Sequence, residues 1–152
     1  MKPFYTLDQV IRDLATIRAL AFVVFPGFWS LTPEQIQTQS NGSGPGSWSN
    51  DARRALTSWE TEGARLAAIV HDIDYCCPDK SPDLFHRANR DFRDNQCRWA
   101  RHAHPVDVVA RGLCEAEAEA QFAAVELGGW DSWLAGDTLS ELEPDPGPER
   151  IA

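Results

Sequence analysis

Apolar residues recur at three- and four-residue intervals along most of this chain, and clusters of Gly, Pro, Ser and Asn break the pattern. The first run carries Val10, Ile11, Leu14, Ile17, Ala21 and Val24. It is opened by Thr6 with Gln9 three residues on, a capping-box pattern, and predicts an amphipathic helix that continues to Pro26 and Gly27. Thr32 followed by Pro33, Glu34 and Gln35 supplies an N-cap and a proline at the first helical position, predicting a short second helix. Residues 40–47 are Ser, Asn, Gly and Pro only and form a loop, too short to separate domains.

Helical spacing resumes at Asn50, breaks over 57–63 and is strongest over 61–75, where Leu66, Ala67, Val70 and Ile73 make an apolar face. Pro78 and Pro82 bracket the end of that helix. Ser81 and Pro82 start the next, with Phe85, Ala88, Phe92, Gln96 and Trp99 on one stripe. A short loop between helices of similar length predicts that the two pack antiparallel. An Ala- and Glu-rich helix follows over 106–127 and stops at Gly128 and Gly129. No internal repeat and no period-two strand pattern stands out. The expected fold class is all-α, an antiparallel helix pair with flanking N- and C-terminal helices. These make one domain over 1–135, followed by an acidic, Pro-rich tail over 136–152, whose final stretch, 141–152, cannot build a core.

Composition narrows the function classes. A chain of 152 residues can bury a core without a disulfide scaffold. Its 14 basic and 23 acidic residues give a net charge of −9, with no Lys/Arg-dense run, which argues against nucleic acid as a partner and against a polybasic membrane anchor. The most apolar stretch, 19–29, is far shorter than the roughly 20 residues of a bilayer span and contains Pro26 and Gly27. Asp8, Arg12, Asp13 and Arg18 interrupt the first twenty residues, so no secretory signal peptide is expected. Four cysteines, two of them adjacent at Cys76 and Cys77, match neither zinc-ligand spacing nor a dense disulfide framework. Free thiols in a reducing compartment follow.

Chemistry concentrates near the end of the 61–75 helix. In His71-Asp72-Ile73-Asp74-Tyr75 the one-turn spacing puts His71 and Tyr75 on one face, with Asp72 about a quarter turn away. A general base beside a carboxylate that can hold a hard cation is what water attack on an ester requires. Upstream, the loop Asn41-Gly42-Ser43-Gly44-Pro45-Gly46 can turn backbone carbonyls toward a cation, because glycine permits positive φ. Downstream, Ala88-Asn89-Arg90-Asp91-Phe92 lies on the helix expected to pack against the one carrying His71.

These three pieces, in this order, resemble the phospholipase A2 superfamily, particularly its bacterial and parvovirus-capsid branches, over about residues 40–99. The resemblance implies a two-helix platform on which His71 deprotonates a water and Tyr75 tethers Asn89, the group that orients His71. It implies calcium as cofactor, held by Asp72 and by the loop at Ser43, Gly44 and Gly46, with a glycine N–H at Gly44 or Gly46 facing the developing oxyanion. The substrate would be the phospholipid of a membrane surface. Without a signal peptide, the protein would stay in the cytoplasm of the producing cell or be packaged in a virion, phage particle or injection system, where protein partners would surround it.

Two departures from the family shape the expectation. Relatives usually carry Asp at the position of Asn89, where the charge stabilises the imidazolium. A disulfide common in bacterial relatives would join the positions of Ser43 and Ala68, neither of which is Cys here. The alternative function is therefore a catalytically weakened relative kept as a structural or assembly component. His86, His102 and His104 have no ligand-like spacing and read as solvated helix-face residues. Phe25, Phe28 and Trp29 read either as core anchors or as a membrane-contacting rim.

Overall fold

Five of the six described α-helices begin where a short polar side chain takes up a free amide of the first turn. In the computed structural model, which describes residues 3–41 and 60–142, the Thr6 hydroxyl accepts from Gln9 N and opens α1 (Leu7–Ala19). The full reciprocal box forms at Thr32 and Gln35, where α2 (Pro33–Gln39) starts. Thr61 caps α3 (Glu62–Asp74), Ser81 caps α4 (Pro82–Ala103), and Asp107 caps α5 (Val108–Gly128). Past Gly129 comes α6 (Trp130–Ala135), and a single 3-10 turn, Phe28–Ser30, lies between α1 and α2. Among the described residues all regular structure is helical, so the all-α class holds. None of these helices is long and apolar enough to cross a membrane. The helical spacing expected from Asn50 lies outside the described residues.

The first helix is shorter than its periodicity predicts. It ends at Ala19 because Phe22 N donates to Ile17 O and Ala21 N donates to Arg18 O, a pair of bonds that closes the last turn and places Ala21 at φ 51°. Residues 22–25 then run without regular structure and are pinned from both sides. The fully buried Asn95 amide accepts from Val23 N at 2.7 Å and donates to Val23 O at 2.8 Å, and Asp74 Oδ1 accepts from Phe25 N at 3.3 Å. One side-chain amide of α4 and a carboxyl of α3 thus take backbone groups that a longer helix would have paired internally.

At the centre sits α3, of which ten residues are buried, including Leu66, Ile69, Val70 and Ile73. Burying each of these apolar side chains contributes about 1.5–3 kcal/mol. Gly63 lies against Trp99, His71 against Asn89, and Tyr75 near Phe85, so contacts descend α4 as they climb α3. On the other side, Arg65 holds Asp13 of α1 through both guanidinium nitrogens. Phe25 and Phe28 are buried in this core, whereas Trp29 remains exposed under the Arg18 guanidinium, so the first two are anchors rather than a rim. All four cysteines are free thiols, and burial pushes the Cys76 thiol up to about 12.

The segment expected to be tail contributes to the core. Leu142 is fully buried, Leu139 N donates to Cys76 O, and the Cys77 thiol donates to Leu142 O. Gly27, at φ 86°, accommodates this return: a Cβ there would lie 1.7 Å from Glu141 O. The tail expectation fails up to Leu142 because two leucines among the acids reach apolar space beside α3; residues 143–152 lie outside the described ones.

Two stability predictions follow from the backbone and from a buried acid. Left-handed φ costs an alanine about 1 kcal/mol or more, so Ala21→Gly is expected to raise the unfolding free energy by roughly that amount in urea titration. Asp74 is fully buried with Oδ2 unbonded among the described residues; burial, against the pull of Phe25 N–H, holds its carboxyl well above the ordinary range, and Asp91 adds to the rise. A carboxyl raised in this way stabilises the fold fully below its unfolded value near 3.8, and the contribution is lost as pH climbs toward the folded value. Melting curves of Asp74→Asn and wild type should therefore nearly coincide at pH 4 and separate toward pH 8, the variant being the more stable by about 3 °C for each kcal/mol.

Candidate functional site

The one-turn spacing of His71 and Tyr75 on α3 stacks their rings with centroids 4.2 Å apart, and Phe92 of α4 covers the imidazole at 4.6 Å. Asn89, fully buried on α4, reaches between them. Its Oδ1 accepts from His71 Nε2 at 2.9 Å and from the Tyr75 hydroxyl at 2.9 Å. The three candidate catalytic residues named from sequence therefore meet at one atom.

Glu126, near the end of α5, completes the group. Its Oε1 accepts from Asn89 Nδ2 at 2.8 Å, and Oε2 lies 2.8 Å from His86 Nδ1. A carboxylate can only accept, so the Asn89 NH2 must face Glu126 and the amide oxygen must face His71 and Tyr75. Both donors then fill the lone pairs of Oδ1. Nε2 of His71 must carry the ring proton, which leaves Nδ1, unbonded among the described residues, as a lone pair able to take a proton.

Burial sets the protonation states. His71 is 9% exposed, and desolvation lowers its pKa to about 4 against the lift from its bond to Asn89, so the imidazole is neutral at pH 7. Burial raises the Tyr75 phenol, which stays a donor. Gly129 makes room for that phenol, since a Cβ there would lie 2.4 Å from its oxygen. Phe85 and Trp133 wall the tyrosine ring.

Asp72 is half-buried beside this group, and its Oδ2 accepts from Asn41 N at 2.9 Å, which ties the carboxylate to the residue where the glycine loop leaves α2. A carboxylate oxygen at that junction is a donor of the type calcium takes. Ser43, Gly44 and Gly46 lie outside the described residues. Among the described residues no group of three His, Cys, Asp or Glu side chains is placed to hold a metal. Ala68 is buried on α3, and its expected neighbour Ser43 is not described.

Sequence reasoning missed Glu126; His86 is exposed on its helix, as read, and its Nδ1 lies 2.8 Å from Glu126 Oε2. The signal was faint: Glu126 is one of several acids in an Ala/Glu-rich helix, and only its position four residues after Phe122 hints at the inward side. No family model matches this chain, and no curated protein and no solved structure matches it either.

The amide orientation gives a spectroscopic prediction. Nitrogen-15 spectra of the histidine rings at pH 7 should show His71 as the Nε2–H tautomer. Glu126→Gln, whose amide can offer either an oxygen or an NH2 to Asn89, releases a constraint worth about 1.5–3 kcal/mol. The Nδ1–H tautomer should then become populated.

Proposed function

We propose that this chain is a phospholipase A2-like acyl-ester hydrolase that acts, with calcium, on phospholipid. The observation that carries the reading is the convergence of His71 Nε2 and the Tyr75 hydroxyl on Asn89 Oδ1, which presents His71 Nδ1 as a base. In the proposed reaction Nδ1 takes a proton from water as the water oxygen attacks the ester carbonyl, and the same proton passes to the departing alcohol oxygen when the acyl bond breaks. Asn89 holds the ring in the required tautomer throughout, and Tyr75 holds Asn89. Asp72 would hold the ion together with carbonyls of the loop at Ser43, Gly44 and Gly46. Calcium, when bound, would polarise the ester carbonyl and offset the charge that develops on its oxygen. Delivery by a virus or phage particle or an injection system belongs to the same proposal.

A second reading, a weakened relative serving as a structural or assembly component, is favoured by the low basicity of His71. A base with pKa about 4 has little driving force to take a proton from water, and the neutral Asn89 adds no charge to favour imidazolium.

The discriminating measurement is fatty-acid release from mixed phospholipid vesicles, with melting temperature recorded for each variant. Release should require millimolar calcium and vanish in His71→Ala and Asp72→Ala. Asn89→Asp should raise it about tenfold or more by lifting the His71 pKa, which corresponds to about 1.4 kcal/mol in the barrier. Calcium should also raise the melting temperature of wild type and not of Asp72→Ala. If wild type and Asn89→Asp are both folded and inert on every vesicle composition, the assembly reading replaces the hydrolase.

A further inference from the structure

The two sides of α5 have different occupants. The inner side carries Ala118, its one buried residue, with Phe122 under the Arg93 guanidinium and Glu126 bonded to Asn89. The outer side carries Val109, Leu113, Ala116, Ala120, Ala123 and Leu127, all exposed, with Val109 at 70%, Leu113 at 69% and Leu127 at 90%. At about 100° per residue these six fall roughly 140–180° around the helix from Ala118. Their spacing of four, three, four, three and four is the seam of a coiled coil. Val106 before the helix and Leu134 after it extend the exposed apolar series, while Trp130 turns its ring edge-on to Phe85. Gly129 scarcely interrupts it, because Gly129 N still donates to Val125 O and Trp133 N to Gly129 O, each at 2.9 Å. Single exposed apolar residues are ordinary on a protein surface, but a continuous uncharged seam is not.

We infer that this seam is a homodimer surface on which α5 of a second copy lies in the opposite direction. The spacing reads the same from either end. A two-fold axis level with Ala118 sets Val109 on Leu127, Leu113 on Ala123 and Ala116 on Ala120, so every layer is apolar and each contact occurs twice. Alanines at the centre let the backbones approach closely, and the bulkier residues close the two ends. A strip about 30 Å long and 12 Å wide on each copy removes on the order of 700 Å² in total, the size of a weak, reversible contact.

Charge fits a second copy with one qualification that gives the pairing a signature. Glu115 and Glu119 beside the seam already lie against Arg101 and Arg93 of their own chain. The same two-fold brings Glu117 next to Glu119 of the second copy. Screening this like-charge contact strengthens the dimer, whereas screening weakens contacts held by ion pairs.

Sedimentation equilibrium of the full chain across the micromolar range tests the inference. Wild type should follow a monomer–dimer equilibrium whose midpoint falls to lower protein concentration as salt rises. Leu113→Glu should weaken it at least tenfold with an unchanged melting curve measured below the midpoint. Under oxidation, the double variant Ala116→Cys with Ala120→Cys should cross-link far faster than either single variant, because each new thiol faces the other position across the axis. A wild type that stays monomeric to millimolar concentration overturns the inference and leaves the seam to a different partner. So does Leu113→Glu that dimerises like wild type. Rapid cross-linking of Ala116→Cys alone would mean parallel chains and overturn the two-fold.

Discussion

Burial of α3 on nearly every side is the constraint from which the rest of the arrangement follows. A helix with so little solvent must find protein partners for each polar group it carries, or accept the cost of leaving it bare. Arg65 recruits Asp13 and so fixes α1; Asp74 recruits Phe25 N and so fixes the segment after α1; His71 recruits Asn89 and so fixes the register of α4. Apolar contacts supply most of the free energy but are indifferent to a shift of one turn. The three polar appointments are not, and they select a single packing of the surrounding elements.

The same constraint explains the composition of the candidate site. A carboxylate at position 89 would sit with no exposure at all, against an imidazole that burial keeps neutral. Asn89 avoids that desolvation and passes the negative charge one group outward to Glu126, whose side chain retains 25% of its exposure. Geometry at His71 is preserved while basicity is given up. An acid at one remove can orient a ring through an amide, but its field reaches the imidazolium across a longer path and is partly screened by water.

Much of the fold was legible because its helix starts use local chemistry. Thr6, Thr32-Pro33 and Ser81-Pro82 announce three N-termini within a few residues, and helical spacing alone pairs His71 with Tyr75. The end of α1 was not legible, since its closing turn uses Ala21 where glycine is the usual signal, and Pro26 offered a more conspicuous stop. Glu126 reaches Asn89 from 37 residues away, and no local pattern marks such a meeting. Leu142 was hidden for a related reason: its neighbours are acids and prolines, and only the space left by Gly27 admits it.

That last contact bears on how the chain is made. Phe25, Gly27 and Gln35 lie in the first quarter of the sequence, yet Leu142 and Glu141 complete the surface around them, Gln35 Nε2 donating to Glu141 Oε1 at 3.1 Å. A polypeptide emerging from the ribosome therefore leaves the space beside Gly27 open until Glu141 and Leu142, more than a hundred positions later, have been made. Long-range closure of this kind carries the entropy of a loop of 106 residues between Gln35 and Glu141 and slows this step of assembly. Collapse of the helices can run alongside synthesis, but this part of the core waits for Leu142.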